Sequence, residues 1–297
     1  MDSLSQFCAP GSTCKEEMVA VSPNVSLRVI TFSPSQQSKN PVLVFVPGLV
    51  SLMEGWREVL LEMTKDFTVY YIETREKITS KVTGKVDYSL EAIGQEIAAL
   101  VSRFKLENRS CILFGSSLGA TAILESSRFL ETHPLCLVLI GPNAVFRIPK
   151  FYQVIIRIFH PGLYLVFKPV VKWYLKNFRL DTEADYAQYE KYCQALDAAD
   201  PWKLKKAAIA FSRYEVWNLL AGIDYPTLII GASRDTLHEP GNLEKMVSMM
   251  KNAVYLDLET NKLTHGSGMV QEMRKYIARL LPPVPPAFAG EGTSPLP

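Results

Sequence analysis

Histidine is scarce in this sequence, with 4 in 297 residues, and cysteine is hardly commoner, with 5. So few histidines leave few candidates for a proton-accepting base or a metal ligand. The cysteines are too few for a disulfide-built scaffold. Cys111 and Cys136 sit inside apolar runs and read as small core residues. Cys8 and Cys14 could pair or hold a metal, yet no histidine or further cysteine lies near them, and no metal or organic cofactor is expected. Charge of one sign is lacking too. Lys and Arg number 32 against 30 Asp and Glu, a formal net charge of +2, which argues against nucleic acid as a partner. No uncharged apolar run reaches the roughly 18 residues that a spanning helix needs. The opening residues, MDSLSQFCAPGSTCKEE, have no basic region followed by an apolar core, so no secretory signal is expected. The expectation is a cytoplasmic, reduced protein.

What is present is a globular composition, 48% hydrophobic and 21% charged, enough to bury a sizeable core. Apolar, β-branched runs at Val42–Val46, Phe67–Ile72, Ser110–Phe114, Leu135–Ile140, Thr227–Ile230 and Ala253–Leu258 read as strands. Most are too continuously apolar to have a wet face, which suits a parallel sheet covered on both sides. Helical patterns lie between them at Trp56–Thr64, Leu90–Phe104, Leu118–Leu130, Leu243–Lys251 and Gly266–Leu281, with Ser89 as N-cap of the second. Short strands near Met18–Val21 and Leu27–Phe32 suggest an antiparallel edge. This alternation predicts a doubly wound, mostly parallel α/β fold.

The alternation stops between Asn143 and Asp224, where helical patterns persist without a convincing strand. The expected organisation is therefore a core formed by residues 1–142 and 225–281, a helical cap inserted at 143–224, and a disordered Pro-rich tail at 282–297.

Gly115-Ser116-Ser117-Leu118-Gly119 follows a strand and opens a helix. It fits the pattern G-x-S-x-G, in which a sharp turn lifts the central serine clear of the sheet edge. Ser117 is that serine, and Ser116 is its neighbour. A serine nucleophile needs a base and a group that orients the base. His133 precedes a proline in a loop, and His160 sits at a Pro-Gly turn in the cap. His238, near Asp235, is a weaker rival to His265. His265 follows the last strand, in LETNKLTHGSGM, and Asp235 follows another strand, in GASRDTLHEP. Both loops belong at the edge where α/β folds gather their ligands. A Gly/Ser turn, an Asx turn at Asp235 and a helix cap at His265 are the purely structural alternatives.

The chain resembles the α/β-hydrolase superfamily over roughly Val42 to Leu281, outside the cap. The likeness rests on DYSLEAIGQEIAALVSRFKLENRSCILFGSSLGATAILES, on GASRDTLHEP and on THGSGM. The order Ser117, Asp235, His265 is that of the superfamily. The resemblance implies Ser117 as nucleophile, His265 as general base and then acid, and Asp235 as orienter. It further implies an oxyanion hole from the backbone N–H groups of Leu49 and Leu118. Two stretches depart from the family pattern: Pro47-Gly48 replaces His-Gly, and ETREKITSKVTGKVDYS keeps Arg75 but loses the usual glycines.

Between Arg147 and Arg179 there are seven Lys or Arg residues and no Asp or Glu. Pro169 suits the first turn of a helix running to Arg179, and Lys168, Lys172, Lys176 and Arg179 would form one basic stripe on it. Residues 147–179 could therefore touch an anionic membrane from its inner face, or pack on the sheet with the stripe solvated. The acidic stretch that follows could neutralise the stripe. The expected activity is that of a serine hydrolase, esterase- or lipase-like, acting on a hydrophobic acyl substrate. The alternatives are a catalytically silent scaffold binding a hydrophobic ligand or partner, and a membrane-associated acyltransferase.

Overall fold

The computed structural model describes residues 4–146, 148, 150–180, 182, 186–234 and 240–281. Asp235, His238, Arg147 and the tail at 282–297 lie outside the described residues. The chain begins with an antiparallel hairpin, β1 (Thr13–Ser22) and β2 (Val25–Ser33), followed by β3 (Val42–Val46), α1 (Arg57–Met63), β4 (Val69–Glu73) and the two-residue β5 (Lys81–Val82). Next come α2 (Leu90–Arg103), β6 (Cys111–Ser116), α3 (Leu118–Ser126) and β7 (Cys136–Ile140). Among the described residues α-helices then follow without an intervening strand: α4 (Lys150–Ile158), α5 (Tyr164–Tyr174), α6 (Tyr186–Ala198), α7 (Pro201–Phe211) and α8 (Trp217–Leu220). The chain returns to the sheet with β8 (Thr227–Gly231), α9 (Pro240–Met249), β9 (Ala253–Asp257), α10 (Asn261–Thr264) and α11 (Ser267–Leu280).

Among the described residues the strands form one sheet in the order β1-β2-β4-β3-β6-β7-β8-β9, with β5 paired to β2. The pairings from β4 to β9 are parallel, so the C-terminal ends of β3, β6, β7 and β8 share one edge. The apolar runs explain this arrangement. Every residue of β6, β7 and β8 is buried, because helices cover both faces. α1, with Trp56 just before it, and α11 pack on one face through Trp56, Leu60, Met63, Met269 and Met273. α2, α3, α8 and α9 pack on the other through Ile93, Ile97, Ile123, Leu220 and Met246. Ser89 caps α2, its hydroxyl accepting from the Ala92 N–H at 3.2 Å, which satisfies one orphan donor of the first turn.

One detail of the helices between β7 and β8 differs from the sequence reading. Pro169 lies inside α5 rather than in its first turn. The turn at Pro161–Leu163 starts the helix earlier, with Pro161 in the first-turn role and His160 Nδ1 accepting from the Gly162 N–H at 3.1 Å. The basic stripe meets the acidic stretch that was expected to neutralise it. Lys168 and Lys172 each reach Asp197 on α6 at 2.8 Å, so one carboxylate neutralises the packing face of α5 and leaves its other faces to the apolar side chains.

Candidate active site

β6 ends in a turn too tight for most residues. Ser117 has φ 50° and ψ −117°, a region that strains any side-chain-bearing residue by about 1–3 kcal/mol. The Ser117 N–H donates to the Ile140 carbonyl at 2.8 Å, and the Ser117 carbonyl accepts from the Thr121 N–H at 3.0 Å. The flanking glycines are required sterically. A Cβ on Gly115 would lie 2.7 Å from Ile123 Cδ1, and one on Gly119 would run into the carbonyl oxygens of Val46 and Pro47. The helix can then sit directly against the end of β3, and Gly48 in the loop beyond it lies beside the serine: a Cβ there would meet Ser117 Cβ at 3.3 Å. Ser116 is buried, whereas Ser117 is half-buried at the cleft floor. Asn143, just past β7, donates from Nδ2 to Ser117 Oγ at 2.9 Å. A hydroxyl that accepts this bond keeps its own proton to give elsewhere.

The loop after β3 brings Leu49 to the same cleft, and Leu118 opens α3, where the first N–H groups have no intrahelical partner. Val50 adopts φ 50°, an unfavourable conformation for a β-branched residue. A buried lysine holds the turn. Lys77 Nζ donates to the Gly48 carbonyl at 2.5 Å and to the Ser51 carbonyl at 2.8 Å, bracketing Leu49 and Val50. Burial pushes its pKa down from 10.5 to about 8, since a low dielectric disfavours the charged form. Lys203 of α7 donates to the carbonyls of Lys77 and Ser80, each at 2.6 Å. The charged segment 73–80 thereby ties α7 to the loop. Arg75 anchors its other end, lying 3.0 Å by Nε from Glu96 Oε2, with both side chains buried.

His265 follows α10. Its Nδ1 lies 2.9 Å from the Asn261 carbonyl and 3.0 Å from Thr264 Oγ1. A carbonyl only accepts, so in the neutral imidazole a bond to Asn261 uses an Nδ1 proton and leaves Nε2 as the acceptor. The imidazole also lies against Trp56, ring centroids 4.2 Å apart, and Trp56 is itself fixed by its Nε1–H donating to Ser51 Oγ at 2.9 Å.

Ser117, His265, Gly48, Leu49, Trp56 and Asn261 line one cleft of about 1010 Å³, counting its open mouth. Its walls are largely apolar, with Leu52 from the loop after β3, Ile140, Ile230 and Leu243 from the core, and Tyr192 and Ala195 from α6. Of the described histidines only His265 lines it. His133 and His160 are exposed elsewhere, the first beside Tyr225 and the second in the turn before α5. Asp235, expected to orient the histidine, lies outside the described residues. Sequence reading missed Lys77, Trp56 and Asn143; the departure from the family pattern at ETREKITSK was the one visible signal for the first. Among the described residues no group of three His, Cys, Asp or Glu side chains is placed to hold a metal ion.

No protein-family model matches the chain, and no curated protein does either. Solved structures do. A hydrolase from Pseudomonas aeruginosa PA01 superposes with a TM-score of 0.71 at 19% identity, over 90% of this chain and 98% of that one. A thermophilic esterase from Thermogutta terrifontis gives 0.71 at 17%, over 90% and 99%. An enol-lactonase from Burkholderia xenovorans LB400 gives 0.70 at 16%, over 88% and 98%. The chain thus has the α/β-hydrolase fold.

Proposed function

We propose that the protein is a serine hydrolase that cleaves a carboxylic ester, or a related acyl bond, of a hydrophobic substrate. The observation that carries this reading is the convergence of Ser117, on its strained turn, and His265 in one apolar cleft. Ser117 Oγ attacks the acyl carbon while His265 Nε2 takes its proton. The tetrahedral oxyanion is held by the N–H groups of Leu49 and Leu118, at a helix N-terminus whose dipole favours negative charge. Collapse expels the alcohol, protonated by His265, and leaves an acyl-enzyme. Water activated by His265 then releases the acid and restores the serine. The structural neighbours named as hydrolase, esterase and enol-lactonase support a hydrolytic reaction of this class.

Hydrolysis of p-nitrophenyl esters from acetate to palmitate tests the proposal. The expected result is turnover by the wild type and by Ser116→Ala, and a loss of about a thousandfold or more in Ser117→Ala. Equal activity in Ser117→Ala would overturn it. The chain length giving the highest kcat/KM reads the depth of the apolar cleft.

A further inference from the structure

Among the described residues α5 touches the protein by a narrow strip and by the ring of Phe167 against Phe159, centroids 5.4 Å apart. Tyr164 donates from its hydroxyl to the Leu196 carbonyl at 2.8 Å, and Lys168 and Lys172 bind Asp197. No residue of the helix is buried. At about 100° per residue, Tyr164, Lys168, Lys172 and Leu175 occupy one sector, and the rest of the circumference is apolar and exposed. Leu165 is 66% exposed, Val166 68% and Trp173 57%. The surface continues onto α4, where Phe151 and Ile158 are 71% and 78% exposed, and into the turn after α5, where Phe178 is 64% exposed. Single exposed apolar residues need no explanation, but a contiguous surface of this extent does.

We infer that this face of α4 and α5 lies on an anionic lipid bilayer. Three features select lipid over a protein partner. The apolar arc covers more than half of α5, whereas a partner helix buries a stripe little wider than about 100°. Trp173 and Tyr174 stand next to Phe178, with ring centroids of the stacked pair Tyr174–Phe178 5.6 Å apart, and amphipathic rings of this kind favour the headgroup boundary. The charge is of one sign: residues 147–180 contain no Asp or Glu, and Lys150, Arg157 and Lys176 are exposed among the apolar side chains. Among the described residues no helix is long and apolar enough to cross a membrane, so the contact is with the surface plane. α6 carries α5 on one side and contributes Tyr192 and Ala195 to the cleft on the other, which puts the bilayer one helix away from Ser117. The surface does not depend on the hydrolase reading.

Co-sedimentation of the full chain with phosphatidylcholine vesicles, with and without phosphatidylglycerol, tests the inference. The wild type and Ser117→Ala should both sediment with the anionic vesicles and be released by salt. The double variant Trp173→Ser, Phe178→Ser should lose on the order of tenfold or more of its partitioning, while keeping wild-type p-nitrophenyl acetate turnover and Tm. Lys176→Glu should weaken binding to the anionic vesicles alone. Absence of sedimentation with either vesicle would overturn the inference, as would unchanged partitioning in the double variant. A homodimer in light scattering that the double variant dissociates would also overturn it, by giving the face to a second copy.

Discussion

The ammonium of Lys77 donates to the carbonyl oxygen of Gly48 at 2.5 Å, immediately before the amide of Leu49 that is proposed to bind the oxyanion. A second bond, to the Ser51 carbonyl, closes the far side of the turn. The lysine thus sets the direction of the Leu49 N–H without touching substrate. Lys77→Met should lower kcat by about ten- to a hundredfold, within the range seen when oxyanion stabilisation is lost. KM should change much less. Thermal stability should move little, because removing a buried charge offsets the loss of two hydrogen bonds. Steady-state kinetics with a melting curve checks this, and a variant of full activity would remove Lys77 from the account.

The depressed pKa of Lys77 has a pH consequence with a definite sign. In the folded chain the group titrates at about 8, against 10.5 for the ordinary side chain. Between those values the unfolded chain binds more protons, so this group's contribution to stability rises with pH. Its penalty is full below pH 8 and is relieved on the way to pH 10.5. The stability difference between wild type and Lys77→Met should therefore shift in favour of the wild type across this window. Urea unfolding at a series of pH values reads it, and a flat difference would show that the lysine is not desolvated.

Trp56 should act through the orientation of His265, since its ring lies against the imidazole at 4.2 Å. Trp56→Phe keeps an aromatic face and should retain kcat within a few-fold. Trp56→Leu should lower kcat by about tenfold, the scale of a ring–cation contact in a desolvated site. Equal kcat in the two variants would deny the ring this role.

Two glycines should respond oppositely to the same substitution. Gly119→Ala puts a methyl group against the Val46 and Pro47 carbonyls and should destabilise by about 1–3 kcal/mol or more. Gly268→Ala, in the first turn of α11 with nothing within 4 Å of the added carbon, should stabilise by about 0.4–1 kcal/mol. Chemical denaturation of both variants measures the contrast.

How much of this was legible in the sequence depends on the range of the interactions. β3 runs over Val42–Val46 as its apolar pattern indicates, and Ser89 caps α2, because both follow from local chemistry. The turn at Ser117 was also readable, since the glycines on either side carry its steric demand. Lys77 was not. Its partners are backbone carbonyls 26 and 29 residues away, and carbonyls have no signature in a sequence. The acidic stretch was readable as a counter to the basic stripe, but only the position of Asp197 on α6 decides that it meets Lys168 and Lys172. The same holds for Trp56, whose place against His265 is set by tertiary packing of α1 on α11.

The most direct test is covalent labelling with a fluorophosphonate, followed by mass spectrometry of the modified peptide. Ser117 should carry the label, Ser116→Ala should label like the wild type, and His265→Ala should label at a rate lower by about a hundredfold or more, since proton removal by a positioned base contributes on that scale. Absence of any adduct at Ser117, or labelling at the same rate without His265, would contradict the assignment of this pair as nucleophile and base.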